Sequence, residues 1–363
     1  MSPPPPDRSE DDLMKRKYAA LDSNGQVHVE EGDVPELEAG SVLVEVEASL
    51  VSPGTELGGA RKNRQKEKKD PDPKTRPFGY QNAGVVIETG EGCDEYKVGQ
   101  RIACMGGGYA LHTSHSVVPI NLTTPLPDNV SCAEGAFNHL GATALWAVRR
   151  ATPEFGQNVA VVGLGIVGQC ASQLLRLCGC HVIGLDRLPL RLDLAKQNGC
   201  DLVVNTGETD PIPLVQEFTR GYGLDAAIIC FGGEATEVVD QLYQMMKLAP
   251  DGHRYGNITI VGGASITKTF ASGLGNVDMR SSARTGPGYH DEPWESGANY
   301  PHVFVKWNTR RNIEEIVRAI SEGKLNVESL ITHRLPLAEA PHGCDELIEH
   351  PERALGVIFE PEG

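Results

Sequence analysis

Apolar and polar residues follow two different rhythms along this chain, and the change between them falls near residue 157. From Tyr18 to about Arg150, short apolar-alternating runs are separated by Gly, Pro and Asp: Ser41 to Ala48, Ala83 to Glu88, Arg101 to Cys104 and Ser116 to Ile120. A period of two marks half-buried strands, so this part reads as a mostly β unit. The basic run Arg61 to Lys69 has no apolar period and leads into Asp70-Pro71-Asp72-Pro73, which predicts an exposed loop.

From Gln157 strands and helices alternate. The strands are Asn158 to Val162, His181 to Leu185, Leu202 to Asn205, Leu224 to Cys230 and Asn257 to Gly262; the helices are Ile166 to Cys178, Arg187 to Asn198 and Ala235 to Leu248. That alternation predicts an α/β fold with a doubly wound parallel sheet. A Gly/Pro-rich stretch, Thr285 to Tyr300, then precedes an amphipathic helix, Thr309 to Ser321, with Ile313, Ile316, Val317 and Ile320 on one face. β character returns in Ser329 to Arg334 and Leu355 to Phe359, so the end of the chain is expected to rejoin the first unit. The expected division is a disordered, proline-rich tail at 1–13, a mostly β domain from 14–150 with 324–363, and an α/β domain at 151–323.

Composition narrows the partners. A chain of 363 residues exceeds what one hydrophobic core usually supports, in keeping with two domains. The formal charge of -16 repels nucleic-acid phosphates and anionic lipid, which leaves a small molecule as the expected partner. No apolar run approaches the roughly 20 residues of a membrane span. Nine scattered cysteines form no disulfide framework, and a cytoplasmic location is expected.

The candidate chemistry begins at Gly163-Leu164-Gly165-Ile166-Val167-Gly168. Such a triplet is weak alone, but here it follows an apolar strand and opens a helix, the context a dinucleotide-binding loop requires. Gly163 permits the tight turn, Gly165 admits a pyrophosphate, Gly168 permits close packing, and Ile166 and Val167 begin a helix whose free N–H groups attract anions. Asp186 ends the second strand, where a carboxylate binds ribose hydroxyls and repels a 2′-phosphate, so NAD is expected over NADP. Arg187 beside it is the residue that would serve a 2′-phosphate instead.

The β-rich first part, the nucleotide unit beginning near the middle and the return of the chain resemble the medium-chain dehydrogenase/reductase superfamily. Tyr96-Lys97-Val98-Gly99-Gln100-Arg101-Ile102 and Leu330-Ile331-Thr332-His333-Arg334-Leu335-Pro336-Leu337 are similar to segments of that family. The resemblance implies a Rossmann domain, a GroES-like catalytic domain and a homodimer through the sheet edge near Val277 to Arg284. Zinc-dependent members place metal ligands where this chain has Ser52-Pro53-Gly54-Thr55-Glu56, Gly79-Tyr80-Gln81 and His139. One imidazole with a serine and a tyrosine makes no tetrahedral zinc site, so no metal is expected. These segments and Gly286-Pro287-Gly288 resemble a zinc-free branch of bacteriochlorophyllide hydroxyethyl dehydrogenase-like and two-domain oxidoreductases.

Without zinc, side chains must stabilise an alkoxide and move a proton. His139 has a suitable intrinsic pKa, Tyr80 offers a phenolic donor, Glu56 could orient either, and Thr55 could relay a proton. Tyr289 and His290 follow the Gly-Pro-Gly turn as expected substrate contacts, while His112 and His115 read as members of a polar strand. The leading expectation is a zinc-independent NAD(H) oxidoreductase of secondary alcohols or ketones. An NADPH-dependent quinone or enoyl reductase and a non-catalytic nucleotide-binding protein remain open.

Overall fold

A computed structural model describes residues 14–361 of the chain; the expected tail at 1–13 lies outside the described residues. Two seven-stranded sheets carry most of the architecture. In the second, six parallel strands run in the order Leu202–Asn205, His181–Asp186, Asn158–Val162, Ala226–Ile229, Arg254–Val261 and Asn276–Ser282. The chain winds outward from Asn158–Val162 in one direction, then crosses back to Ala226–Ile229 and winds the other way. The crevice where the order reverses is where doubly wound sheets bind ligands.

The first sheet is built around Ser41–Leu50, which pairs with Gln81–Thr89 on one side and with His115–Pro119 and Gly356–Glu360 on the other. Ile331–Pro336 pairs in parallel with Gly356–Glu360, so the last strands of the chain complete this first sheet. A smaller sheet of Lys15–Asp22, Val27–Asp33 and Thr75–Pro77 flanks it.

The helix Asn138–Ala151 joins the two halves. It packs against the helices Ile166–Leu177 and Thr309–Ser321. Its Leu140, Ala144, Ala147 and Val148 belong to one apolar cluster that also contains Val44 and Ile102 of the first sheet and Val159 and Ile228 of the second. Gly141 sits where a Cβ would come within 2.7 Å of Ile316, so the absence of a side chain sets that close helix contact.

Two local expectations are corrected. The basic run does not begin as a loop: Leu57–Arg64 is a helix that buries Leu57 and Ala60 and sets Arg61, Lys62 and Arg64 in its last turn, where cations suit the helix dipole. Arg64 also pairs with Asp345 at 2.7 Å and donates to the Gly25 carbonyl, contacts that two apolar positions could not announce. The helix expected to reach Leu248 stops at Met245, because Met246 turns extended and Lys247–Leu248 pairs with Arg254 and Tyr255. The Gly/Pro-rich stretch contains a short helix, Glu292–Glu295, pinned by the buried Trp294.

Phe359 is fully buried beneath the first sheet in a cluster with Leu57, Phe78 and Leu347. Phe359→Ala should lower unfolding free energy by about 3–5 kcal/mol, as large-to-small changes in a packed core do. Denaturant unfolding measures this. A loss below about 1 kcal/mol would mean that the returning strand is not packed as described.

Candidate active site

The glycine loop lies at the end of the central strand Asn158–Val162, at the sheet's reversal point. Gly163 has φ +88°, which favours glycine, and a Cβ there would press on the Cys230 carbonyl of the neighbouring strand end at 3.3 Å. A Cβ on Gly168 would lie 2.0 Å from the Gly163 oxygen, so the helix can approach the strand this closely only without a side chain. Gly165 is different: a Cβ there meets nothing within 4 Å and would project into open space. It caps the helix Ile166–Leu177 without a side-chain acceptor, leaving the N–H groups of Ile166 and Val167 free for an anion. This cradle fits a dinucleotide.

Asp186 sits beside the loop with its carboxylate already engaged. One oxygen accepts from the Leu164 N–H at 2.6 Å and the other from those of Arg187 and Leu188 at 2.6 and 3.0 Å. The Arg191 guanidinium stands 3.9 Å away, and the Arg187 residue is exposed at the rim.

The other candidates converge from four chain segments. Glu56 ends the turn that follows the first-sheet strand, with Thr55 exposed on that turn. Tyr80 opens the strand Gln81–Thr89, and His139 is the second residue of the joining helix. The rings of Tyr80 and His139 meet at 4.4 Å. Tyr289 approaches His139 edge-on at 5.4 Å and stacks on His290 at 3.9 Å, so the expected acid/base and substrate residues line one aromatic patch.

Local contacts set their chemistry. The His139 Nδ1 lies 3.2 Å from the Tyr80 carbonyl, which can only accept; Nδ1 therefore carries the proton and Nε2 is left as a free lone pair. Burial pushes the His139 imidazole down to about 4, assisted by the nearby His290 and opposed by the hydrogen bond to Tyr80. It is a neutral base near pH 7. Burial and the charge of Glu56 raise the Tyr80 phenol well above its ordinary range, against the opposing pull of Ser52 and Thr55. It remains a proton donor.

Several contacts in the constellation were not anticipated from sequence. The Tyr289 hydroxyl accepts from the Gly107 N–H at 2.7 Å, tying the Gly-Pro-Gly segment to a glycine-rich loop of the first half. His290 adopts φ +72° and its N–H donates to the buried Glu295 at 2.7 Å. His112, expected in a polar strand, is instead fully buried between the rings of Phe78 and Phe359. Its Nε2 lies 3.2 Å from Glu56 Oε2. A histidine flanked by Leu111 and Thr113 carries no local sign of such a partner.

Among the described residues, no three or more His, Cys, Asp or Glu side chains come together as a metal-binding group. Ser52, Tyr80 and His139 offer a hydroxyl, a phenol and one imidazole, a donor set that does not fit a zinc ion. The pair Cys178 and Cys180 falls at a helix end, Cys178 exposed and Cys180 buried.

Comparison with known proteins agrees with this architecture. Residues 167–294 match the zinc-binding dehydrogenase family, a segment that contains none of Ser52, Glu56, Tyr80 or His139. An uncharacterized zinc-type alcohol dehydrogenase-like protein of Escherichia coli, YdjJ, is 25% identical over 95% of this chain and 99% of its own length. The D-guloside 3-dehydrogenase of Escherichia coli is 28% identical over 78% of this chain and 77% of its own. Among solved structures, an Escherichia coli oxidoreductase/dehydrogenase of unknown specificity superposes with a TM-score of 0.79 at 21% identity, over 96% of this chain and all of that one. The 2R,3R-butanediol dehydrogenase of Bacillus subtilis gives 0.72 at 21% identity, with the same coverage. The fold is that of the medium-chain alcohol dehydrogenases, a Rossmann sheet with a GroES-like β domain. The matches support the medium-chain dehydrogenase/reductase superfamily.

With His139 at about 4 in the folded protein against about 6.5 when unfolded, the unfolded state binds the extra proton between these values. Stability from the neutral, buried ring is therefore complete above pH 6.5 and lost as pH falls toward 4. The contribution is about 3 kcal/mol. His139→Gln should flatten the pH dependence of unfolding free energy in that window. An unchanged slope would place the ring in water.

Proposed function

We propose that the chain is an NAD(H)-dependent oxidoreductase that interconverts secondary alcohols and ketones using side chains in place of catalytic zinc. The observation that carries the reading is the meeting of Tyr80 and His139 at 4.4 Å, at positions where related enzymes would need metal ligands. Gly163, Gly165 and Gly168, with the N–H groups of Ile166 and Val167, would hold the diphosphate. Asp186 would face the adenosine ribose, and its charge favours NAD over NADP. A bound nicotinamide supplies or accepts the hydride, chemistry that no side chain here provides.

The chain's own residues manage the oxygen and its proton. The Tyr80 phenol, held protonated by burial and by Glu56, donates a hydrogen bond to a substrate carbonyl and stabilises the oxyanion as it forms. The His139 Nε2, fixed as an acceptor by the bond at Nδ1, receives a hydrogen bond from the substrate hydroxyl or from Tyr80. Tyr289 and His290 close the outer wall of the patch and exclude water from it. Alcohol, polyol and guloside dehydrogenases among the relatives and structural neighbours support a hydroxylated substrate, a polyol, sugar derivative or hydroxyalkyl group. The dimer edge is proposed at Asn276–Ser282, whose outer side has no partner strand among the described residues.

The decisive measurement is NADH consumption with a panel of ketones and conjugated enones, and NAD reduction with polyols. Turnover of ketones or polyols, with kcat/KM higher for NAD(H) than for NADP(H), is expected; exclusive turnover of enones with NADPH would replace this reading with a reductase of conjugated double bonds. Tyr80→Phe should lower kcat by about 10²–10³-fold while leaving the KM for NADH within about twofold.

A further inference from the structure

Glu56 is the least satisfied charged group near the site. Its side chain is 4% exposed, and the two carboxylate oxygens are treated very differently. Oε2 accepts from the Ser52 N–H at 2.7 Å and lies 3.2 Å from His112 Nε2. Oε1 is buried and has no hydrogen-bond partner. A buried carboxylate oxygen left without a donor is costly, so such an atom is expected to have a use.

His112 explains how the asymmetry is maintained. Its ring is wholly buried, held edge-on by Phe78 and Phe359, and its Nδ1 lies 2.9 Å from the Ser49 hydroxyl. Its backbone is fixed as well, with the N–H donating to the Phe78 carbonyl at 3.1 Å and the carbonyl accepting from Ala19. Gly79 follows Phe78 at φ +129°, where a Cβ would come within 2.4 Å of the His112 nitrogen, so the chain reaching Tyr80 passes directly against His112. The titratable groups facing the pair are Tyr80 and Cys344, both subject to the charge of Glu56. Behind Cys344 stand Asp345 and Arg64, paired with each other.

We propose that Glu56 Oε1 is the proton acceptor behind Tyr80 and that His112 is the positioning residue that decides which oxygen receives the proton. The inference rests on the alcohol–ketone reading above. In alcohol oxidation a nicotinamide held at the glycine loop would take the hydride, and the substrate's hydroxyl proton would pass to the Tyr80 oxygen as the phenol's own proton passes to Glu56 Oε1 through one bridging water. Tyr80 ends as a phenol, Glu56 as a neutral acid, and the product as a ketone. Ketone reduction returns the same proton. The His112 Nε2–H is donated to Oε2, and Nδ1 accepts from Ser49.

Two variants and one spectrum test this. Glu56→Gln keeps the shape but cannot accept a proton: kcat for alcohol oxidation should fall about 10²-fold with KM unchanged. His112→Gln retains a donor toward Oε2 and should keep kcat within a few fold of the parent, whereas His112→Phe should lose about tenfold in kcat with KM unchanged. Turnover by the parent protein with kcat retained within a few fold in Glu56→Gln overturns this proposal alone. No turnover by the parent on alcohols, ketones or enones overturns the functional reading and this proposal together. Independently of activity, ¹⁵N spectra of histidine-labelled protein should show His112 protonated at Nε2 and not at Nδ1; the reverse tautomer rules out the positioning role.

Discussion

The structure depends on the burial of one helix, Asn138–Ala151, between two sheets. Nine of its fourteen residues are buried, and its apolar side runs continuously into the cores of both halves. Close packing of this kind leaves few alternative arrangements, because each displaced methyl group costs on the order of a kilocalorie. The same helix carries His139 near its first turn. The packing that joins the halves therefore also fixes the imidazole against Tyr80. The returning strands Ile331–Pro336 and Gly356–Glu360 reinforce the arrangement from the other side, since Phe359 packs on His112 while completing the first sheet.

From that constraint the site acquires two regions of different character. The dinucleotide end is built from backbone: positive-φ glycine, free N–H groups and a carboxylate saturated by main-chain donors. Little there depends on a titrating side chain. The opposite end is built from rings and ionisable groups in a dry environment, where burial lowers His139 and raises Tyr80. Moving two groups apart in this way separates a neutral acceptor from a protonated donor, the division of labour that proton transfer at a carbonyl requires. In the proposed reaction the oxyanion stabilisation would come from the phenol.

The glycine loop was legible because its demands are local. Six consecutive residues set the turn, the helix start and the close approach, and nothing distant is needed to interpret them. The amphipathic helix Thr309–Ser321 was legible for the same reason, its apolar stripe being a property of one segment. The helix Leu57–Arg64 was not, since two buried positions make no period and its stability comes from partners such as Asp345, far along the chain. His112 was misjudged on the same ground. Its partner Glu56 stands 56 residues earlier, and the aromatic walls come from Phe78 and Phe359.

The sequence by itself determined the doubly wound sheet and the glycine loop, because periodicity and glycine geometry are written residue by residue. Only the tertiary structure decided which candidates meet. Tyr80 and His139 lie 59 residues apart, and Tyr289 reaches them from the segment that follows the strand Asn276–Ser282. Their protonation states follow from burial and from neighbours supplied by other segments. Desolvation and long-range contact are properties of the packed chain, and no local pattern encodes them.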